Sequence, residues 1–237
     1  MNTTMNATLN TATSRKRIAW RAAYTTTLTL FGSLLLGFGL AIALSNLPMH
    51  FPEQTMNLLS LLVLLGFLFA GGAFWGRRMA AIVSPDQQRR FSWAGALSYP
   101  PSLVLAGISL GMLEQAIVER GGGPDLPVHV VFTLLFVPAA FFVAAMGGLA
   151  IGVALKDGRL ALKLTLGAGL LAALAFLLVD LLMDAVGYRV GAPRAAERAT
   201  MLTVMMAGSL AASLAGGAAL GYLLSGRTPG AAPSSEI

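Results

Sequence analysis

Apolar and polar positions along this chain fall into long blocks rather than a short alternation. Apolar runs lie near 24–46, 55–76, 92–115, 128–155, 160–184 and 199–224, separated by brief polar segments. Each is long enough to cross a bilayer, which takes about 20 predominantly apolar residues in an α-helix. The pattern predicts an all-α integral membrane protein, a six-transmembrane-helix bundle occupying 23–225. The segments between the runs are too short to fold as separate soluble domains. Residues 1–22 read as a disordered cytoplasmic tail, because MNTTMNATLNTATS is uncharged and rich in Thr and Asn, with little apolar surface to bury. Residues 226–237, ending GRTPGAAPSSEI, read as a second such tail. A secretory leader is the competing reading of the first run, with cleavage after Ala41-Ile42-Ala43. The apolar stretch is too long and its basic lead-in too distant for a good match.

Composition strengthens the membrane reading. The chain is 56% hydrophobic and 11% charged, against roughly a quarter charged in soluble domains. It contains no cysteine, which excludes disulfides, thiolate metal sites and cysteine nucleophiles. His50 and His129 both fall at the outer interface. They offer no transmembrane pair for a haem and no buried partner for a serine nucleophile. No P-loop pattern is present. The expectation is therefore no catalytic constellation, no metal and no cofactor.

The net charge of +6 would suit a nucleic-acid partner if the basic residues were spread evenly, but they cluster at the ends of the runs. One side carries Arg15, Lys16, Arg17, Arg21, Arg77, Arg78, Arg89, Arg90, Lys156, Arg159, Lys163 and Arg227; the other has Arg120, Arg189, Arg194 and Arg198. Twelve against four puts both termini in the cytoplasm by the bias of basic residues toward that side. The partner this predicts is the lipid bilayer of a cytoplasmic membrane, with no nucleic acid. A homo-oligomer or other membrane subunits remain open as protein partners.

Glycine adds a second pattern. GGAFWG at 71–76, GGLAIG at 147–152 and GGAALG at 216–221 share the form GGxxxG, each toward the cytoplasmic end of an even-numbered run. Gly at i and i+4 clears one helix face so that backbones can approach, which is how helices associate where leucine gains little over lipid. The candidate packing residues are Gly71, Gly72, Gly76, Gly147, Gly148, Gly152, Gly216, Gly217 and Gly221. The pattern reads either as three repeated helical hairpins or as convergence on one packing solution. Small-residue ribbons extend two of the patches, through Ala140 and Ala144 and through Ser209 and Ser213.

Polar chemistry concentrates in two places. SYPPS at 98–102 puts Tyr99, Pro100, Pro101 and Ser102 inside the third run. Paired prolines remove two backbone donors, and a helix broken there would line a polar path of the kind transporters use; a simple kink is the plainer alternative. At the outer end of the fifth run, Asp180 and Asp184 stand at i and i+4, with Glu114 at comparable depth in the third. Ionisable groups in membrane spans are functional candidates. The plainer alternative is an interfacial acid, hydrated or paired with Arg189, Arg194 or Arg198. Lys163 reads as a residue that snorkels to the headgroups. Together these features favour a small-solute or ion permease, or the membrane subunit of a transporter. The alternative is a non-transporting scaffold or accessory subunit that binds partner helices through its glycine faces. A membrane enzyme ranks third.

Overall fold

The computed structural model describes residues 2–45, 53–102, 128–185 and 194–227. They form six α-helices, and among the described residues there is no strand. In chain order these are α1 (Asn2–Ser45), α2 (Glu53–Val83), α3 (88–102), α4 (Val128–Ala154), α5 (Gly158–Ala185) and α6 (Arg194–Leu224). Among the described residues, four stretches are long and apolar enough to cross a membrane: Leu58–Val83, Thr133–Ala154, Gly158–Met183 and Thr203–Leu224. They belong to α2, α4, α5 and α6.

The helices depart from the sequence expectation mainly at their ends. α1 runs from Asn2 to Ser45. No Gly or Pro interrupts the first 31 residues, and the helix is held from Ile18 onward by α6. At 44 residues it is about 66 Å long at 1.5 Å per residue, well beyond one bilayer thickness. α2 runs seven residues past its expected end, to Val83. Ser84 N–H still bonds Ala80 O at 2.7 Å, and Pro85 then opens a single 3-10 turn over Pro85–Gln87.

The α4–α5 turn is tighter. Lys156 takes a left-handed conformation with φ 56°, while its N–H bonds Val153 O at 3.0 Å and that of Asp157 bonds Gly152 O at 3.1 Å. This is a Schellman closure with lysine where glycine is usual, and it places a cation near the negative end of the α4 dipole. Asp157 then caps α5, accepting from Leu160 N–H at 2.9 Å.

Helix α1 packs between α2 and α6, and α5 between α6 and α4; α3 lies against α2 through Gly95 and Phe91. The packing is small inside and large outside. Along α5, Ala161, Leu164, Ala168, Ala172 and Phe176 are buried, whereas Leu162, Leu166, Leu170, Leu174 and Leu178 are exposed. A water-soluble helix would reverse that preference. One core cluster draws on all six helices through Ala22, Trp75, Met79, Phe91, Tyr99, Ile151, Leu164, Ala168, Leu220 and Leu224. It sits at the end of the bundle that carries the α2–α3 and α4–α5 turns, called here the basic end. A smaller cluster of Ala172, Phe176 and Ala212 lies further along α5 and α6, where Phe176 stacks on Phe136 at 5.9 Å.

Candidate functional site

Trp75 is the centre of the larger cluster and 1% exposed. Its indole N–H donates to Thr26 Oγ1 of α1 at 3.0 Å. Its ring tilts against Tyr99 of α3 with centroids 5.7 Å apart. A Cβ on Gly147 of α4 would stand 3.4 Å from the ring edge. On the α4 side the ring has room because residue 147 carries no side chain. Gly71 faces Ser33 of α1, while Gly72 and Gly76 face the backbone of α3 at Gly95 and Phe91.

The other two glycine patches meet different helices. Gly148 and Gly152 face Leu164, Thr165 and Ala161 of α5; Gly217 and Gly221 face Ala19, Ala22, Ala23 and Thr26 of α1; Gly216 faces Ala144 of α4 and Ala172 of α5. In the α2–α3 contact, a Cβ on Gly72 would stand 2.3 Å from Gly95 O, and one on Gly95 would stand 2.1 Å from Gly72 O. Neither glycine tolerates a side chain while the other's backbone stays in place. Gly95 belongs to no GGxxxG motif, so the sequence pattern missed it.

The proline pair lies within continuous helix. Residues 88–102 are helical through both prolines, so the expected break does not fall among the described residues. Proline costs a helix one bond per missing N–H, and in apolar surroundings neighbouring helices and hydroxyls can offset that cost. Ser98 Oγ donates to Gly95 O at 3.0 Å and Ser102 Oγ to Tyr99 O at 2.7 Å. Both are bonds back to the third preceding residue, not to the carbonyls of Ala96 and Leu97 that the prolines leave open. Ser98, Tyr99, Pro100 and Ser102 are buried, while Pro101 is exposed. The Tyr99 phenol faces the Thr29 side chain of α1.

A polar seam that sequence reading did not single out therefore runs along α1. Thr26 receives Trp75, Thr29 meets Tyr99, and Thr27 shares a hydrogen bond with Ser213 of α6 at 3.1 Å. Thr29 and Ser33 also donate to Thr25 O and Thr29 O, the carbonyls of the preceding turn, at 2.7 and 2.6 Å. The signal was present as YTTTLT at 24–29, but a hydroxyl run inside an apolar helix gives no hint of its partners.

Of the outer acidic group, Asp180 is fully described. It is 8% exposed, and Thr133 Oγ1 of α4 donates to its Oδ2. Asp184 lies one turn further along α5, with its side chain outside the described residues, and Glu114 falls outside them altogether. Asp180 lies against α4 near Phe176, whereas Tyr99 lies against α1 and α2 around Trp75. The proline pair and this carboxylate thus occupy separate parts of the bundle. Arg189, expected as a partner for the acid, lies outside the described residues, as do the side chains of Arg194 and Arg198. His50 and the His129 side chain are likewise undescribed. Among the described residues, no three His, Asp or Glu side chains are placed to hold a metal ion.

The basic end carries exposed Arg15, Lys16, Arg17, Arg21, Arg77, Arg78, Arg89, Arg90, Lys156, Arg159 and Lys163. Exposed Trp20, Tyr24 and Tyr222 accompany them. On the side of the bundle, Phe31, Thr203, Met206, Ala207 and Leu210 line an open apolar cleft of about 480 Å³ between α1 and α6. Comparison with models of protein families, with curated proteins and with solved structures found no match to this chain.

Proposed function

We propose that this chain is a six-span membrane protein of a cytoplasmic membrane, with both termini inside, acting as a small-solute or ion permease or as the membrane subunit of a transporter. The four long apolar stretches among the described residues support α2, α4, α5 and α6 as membrane spans. Side-by-side packing of α1 with α2 and α6, and of α3 with α2, supports α1 and α3 as the remaining spans. The concentration of exposed cations at the basic end supports the orientation.

The observation that carries the transport reading is Asp180. It is buried between two apolar helices, with a threonine hydroxyl as its described partner. Ionisable residues within membrane helices are rare and mark ion and proton pathways. In this reading Asp180 exchanges a proton or meets a cation, and Thr133 holds its orientation. The scaffold alternative relied on free glycine faces. Gly72, Gly76, Gly148, Gly152, Gly217 and Gly221 are instead filled by the chain's own helices, which supports internal packing.

The test is solute and proton flux in proteoliposomes across a panel of cations and small solutes, comparing wild type with Asp180→Asn. Flux above that of protein-free vesicles, lost in the variant, is expected. Wild-type flux equal to that of empty vesicles across the panel would overturn the transport reading.

A further inference from the structure

The α2–α3 hairpin carries charge that the transport reading leaves unused. Arg77 and Arg78 on α2 are exposed, as are Arg89 and Arg90 on α3. Their relative level follows from the glycine contacts. Gly72 lies against Gly95 and Gly76 against Phe91, so the antiparallel register sets Arg77 level with Arg90 and Arg78 level with Arg89. Four guanidinium groups share one height on two helices, and the single carboxylate within 77–90 is Asp86, exposed in the 3-10 turn.

One turn along each helix, away from the hairpin turn, stands an exposed aromatic ring. Phe74 is 49% exposed and Trp93 62% exposed, and the Arg78 guanidinium lies 5.1 Å from the Phe74 ring. One turn beyond Trp93, Leu97 is exposed too. The hairpin therefore presents arginine, then aromatic, then aliphatic surface in order along its axis. A phospholipid presents phosphate, then interfacial glycerol, then acyl chain in the same order. Arginine's planar donors match phosphate oxygens in pairs, and juxtamembrane basic clusters attract anionic lipid. A soluble polyanion could meet the four arginines but has nothing to set against Trp93 and Leu97.

We infer that the arginine collar of the α2–α3 hairpin binds the headgroup phosphates of anionic phospholipid in the adjoining leaflet, with Phe74 and Trp93 seating the glycerol region. The inference rests on α2 and α3 lying in a bilayer; it does not require that the protein transport anything.

Trp93 supplies the readout. In a Trp20→Phe background it is the exposed tryptophan, because Trp75 is buried. The full chain is reconstituted in phosphatidylcholine vesicles containing brominated phosphatidylglycerol or brominated phosphatidylcholine at equal mole fraction. Trp93 quenching then gives the relative affinity. The expected result is a preference of about fivefold for the anionic lipid, falling toward parity at about 0.5 M salt. It also falls toward parity in R77Q/R78Q/R89Q/R90Q, while the fourfold lysine variant keeps a smaller preference that comes from charge alone. Equal quenching by the two lipids in the unsubstituted collar overturns the inference, and so does a preference that survives the glutamine substitutions. Should the glutamine variant fail to fold, the salt dependence and the lysine variant still decide. Solute flux is measured separately, so a failure of the transport reading leaves this result standing.

Discussion

Replacing Gly148 by alanine adds one methyl group where α4 lies directly against the α5 backbone. The new Cβ would stand 2.5 Å from both the carbonyl carbon and oxygen of Leu164, and 2.7 Å from Thr165 N. Ordinary contact begins at 3.4 Å, so the helices must part by roughly 0.9 Å. The obstructing atoms are backbone, so no rotamer change relieves the clash. A gap of that size forfeits a quarter to a half of each dispersion well, or about 1–2 kcal/mol over the order of 25 atom pairs in the seam. That agrees with the typical overpacking cost of about 1–3 kcal/mol. Alanine's better helix propensity returns up to about 1 kcal/mol. With that gain set against the packing cost, the expected net loss is about 1 kcal/mol.

Gly66 provides the matched control. It lies in α2, and a Cβ there would meet nothing within 4 Å, so Gly66→Ala should be neutral or stabilising by up to about 1 kcal/mol. Unfolding by sodium dodecyl sulfate in mixed micelles, followed by tryptophan fluorescence, measures both variants. A midpoint for Gly148→Ala at or above wild type would refute the close-packing argument. So would an equal fall for Gly66→Ala.

Two further substitutions probe the core around Trp75 and the proline pair. Thr26→Val keeps the shape of the side chain against Gly217 but leaves the buried Trp75 N–H without an acceptor. It should cost about 1–3 kcal/mol in the same unfolding assay, and most of that loss should vanish when Trp75→Phe is combined with it. Additive losses in that double-mutant cycle would mean the bond contributes nothing. Pro101→Ala, on the exposed side of α3, restores an N–H that can bond Leu97 O. It should raise stability by about 1–3 kcal/mol with flux unchanged; a loss of flux would make the proline part of the path.

Sequence alone located the helices better than it located their surroundings. The runs at 128–155 and 160–184 became helices Val128–Ala154 and Gly158–Ala185, because a long apolar stretch must satisfy its backbone internally wherever it meets lipid. The first run shows less of its helix in composition at its N-terminal side. Polar, uncharged Thr and Asn suggest coil on composition, yet nothing in that stretch stops a helix already held at Ile18, Ala19 and Ala22 by Gly221 of α6. The acidic candidate Asp180 was legible as a charge in an apolar run. Its partner Thr133 was not, because the two are 47 residues apart and threonine has no marked preference to announce the contact.

The sequence by itself determined that the chain is helical and apolar, where its basic residues gather, and which residues are small enough for backbones to touch. Those are local properties, set by the solvent and by the presence or absence of a side chain. Only the tertiary structure decided which helix each glycine face meets: α3 for Gly72 and Gly76, α5 for Gly148 and Gly152, and α1 for Gly217 and Gly221. Hydropathy could not have assigned those faces. Leucine is equally at home against lipid and against protein, so Leu164 is buried while Leu162 and Leu166 are exposed on the same helix. GGAFWG shows the division clearly. Its glycines announced a close approach, but that they bring α2 against Ser33 of α1 and against Gly95 and Phe91 of α3 emerged only when the helices were set side by side.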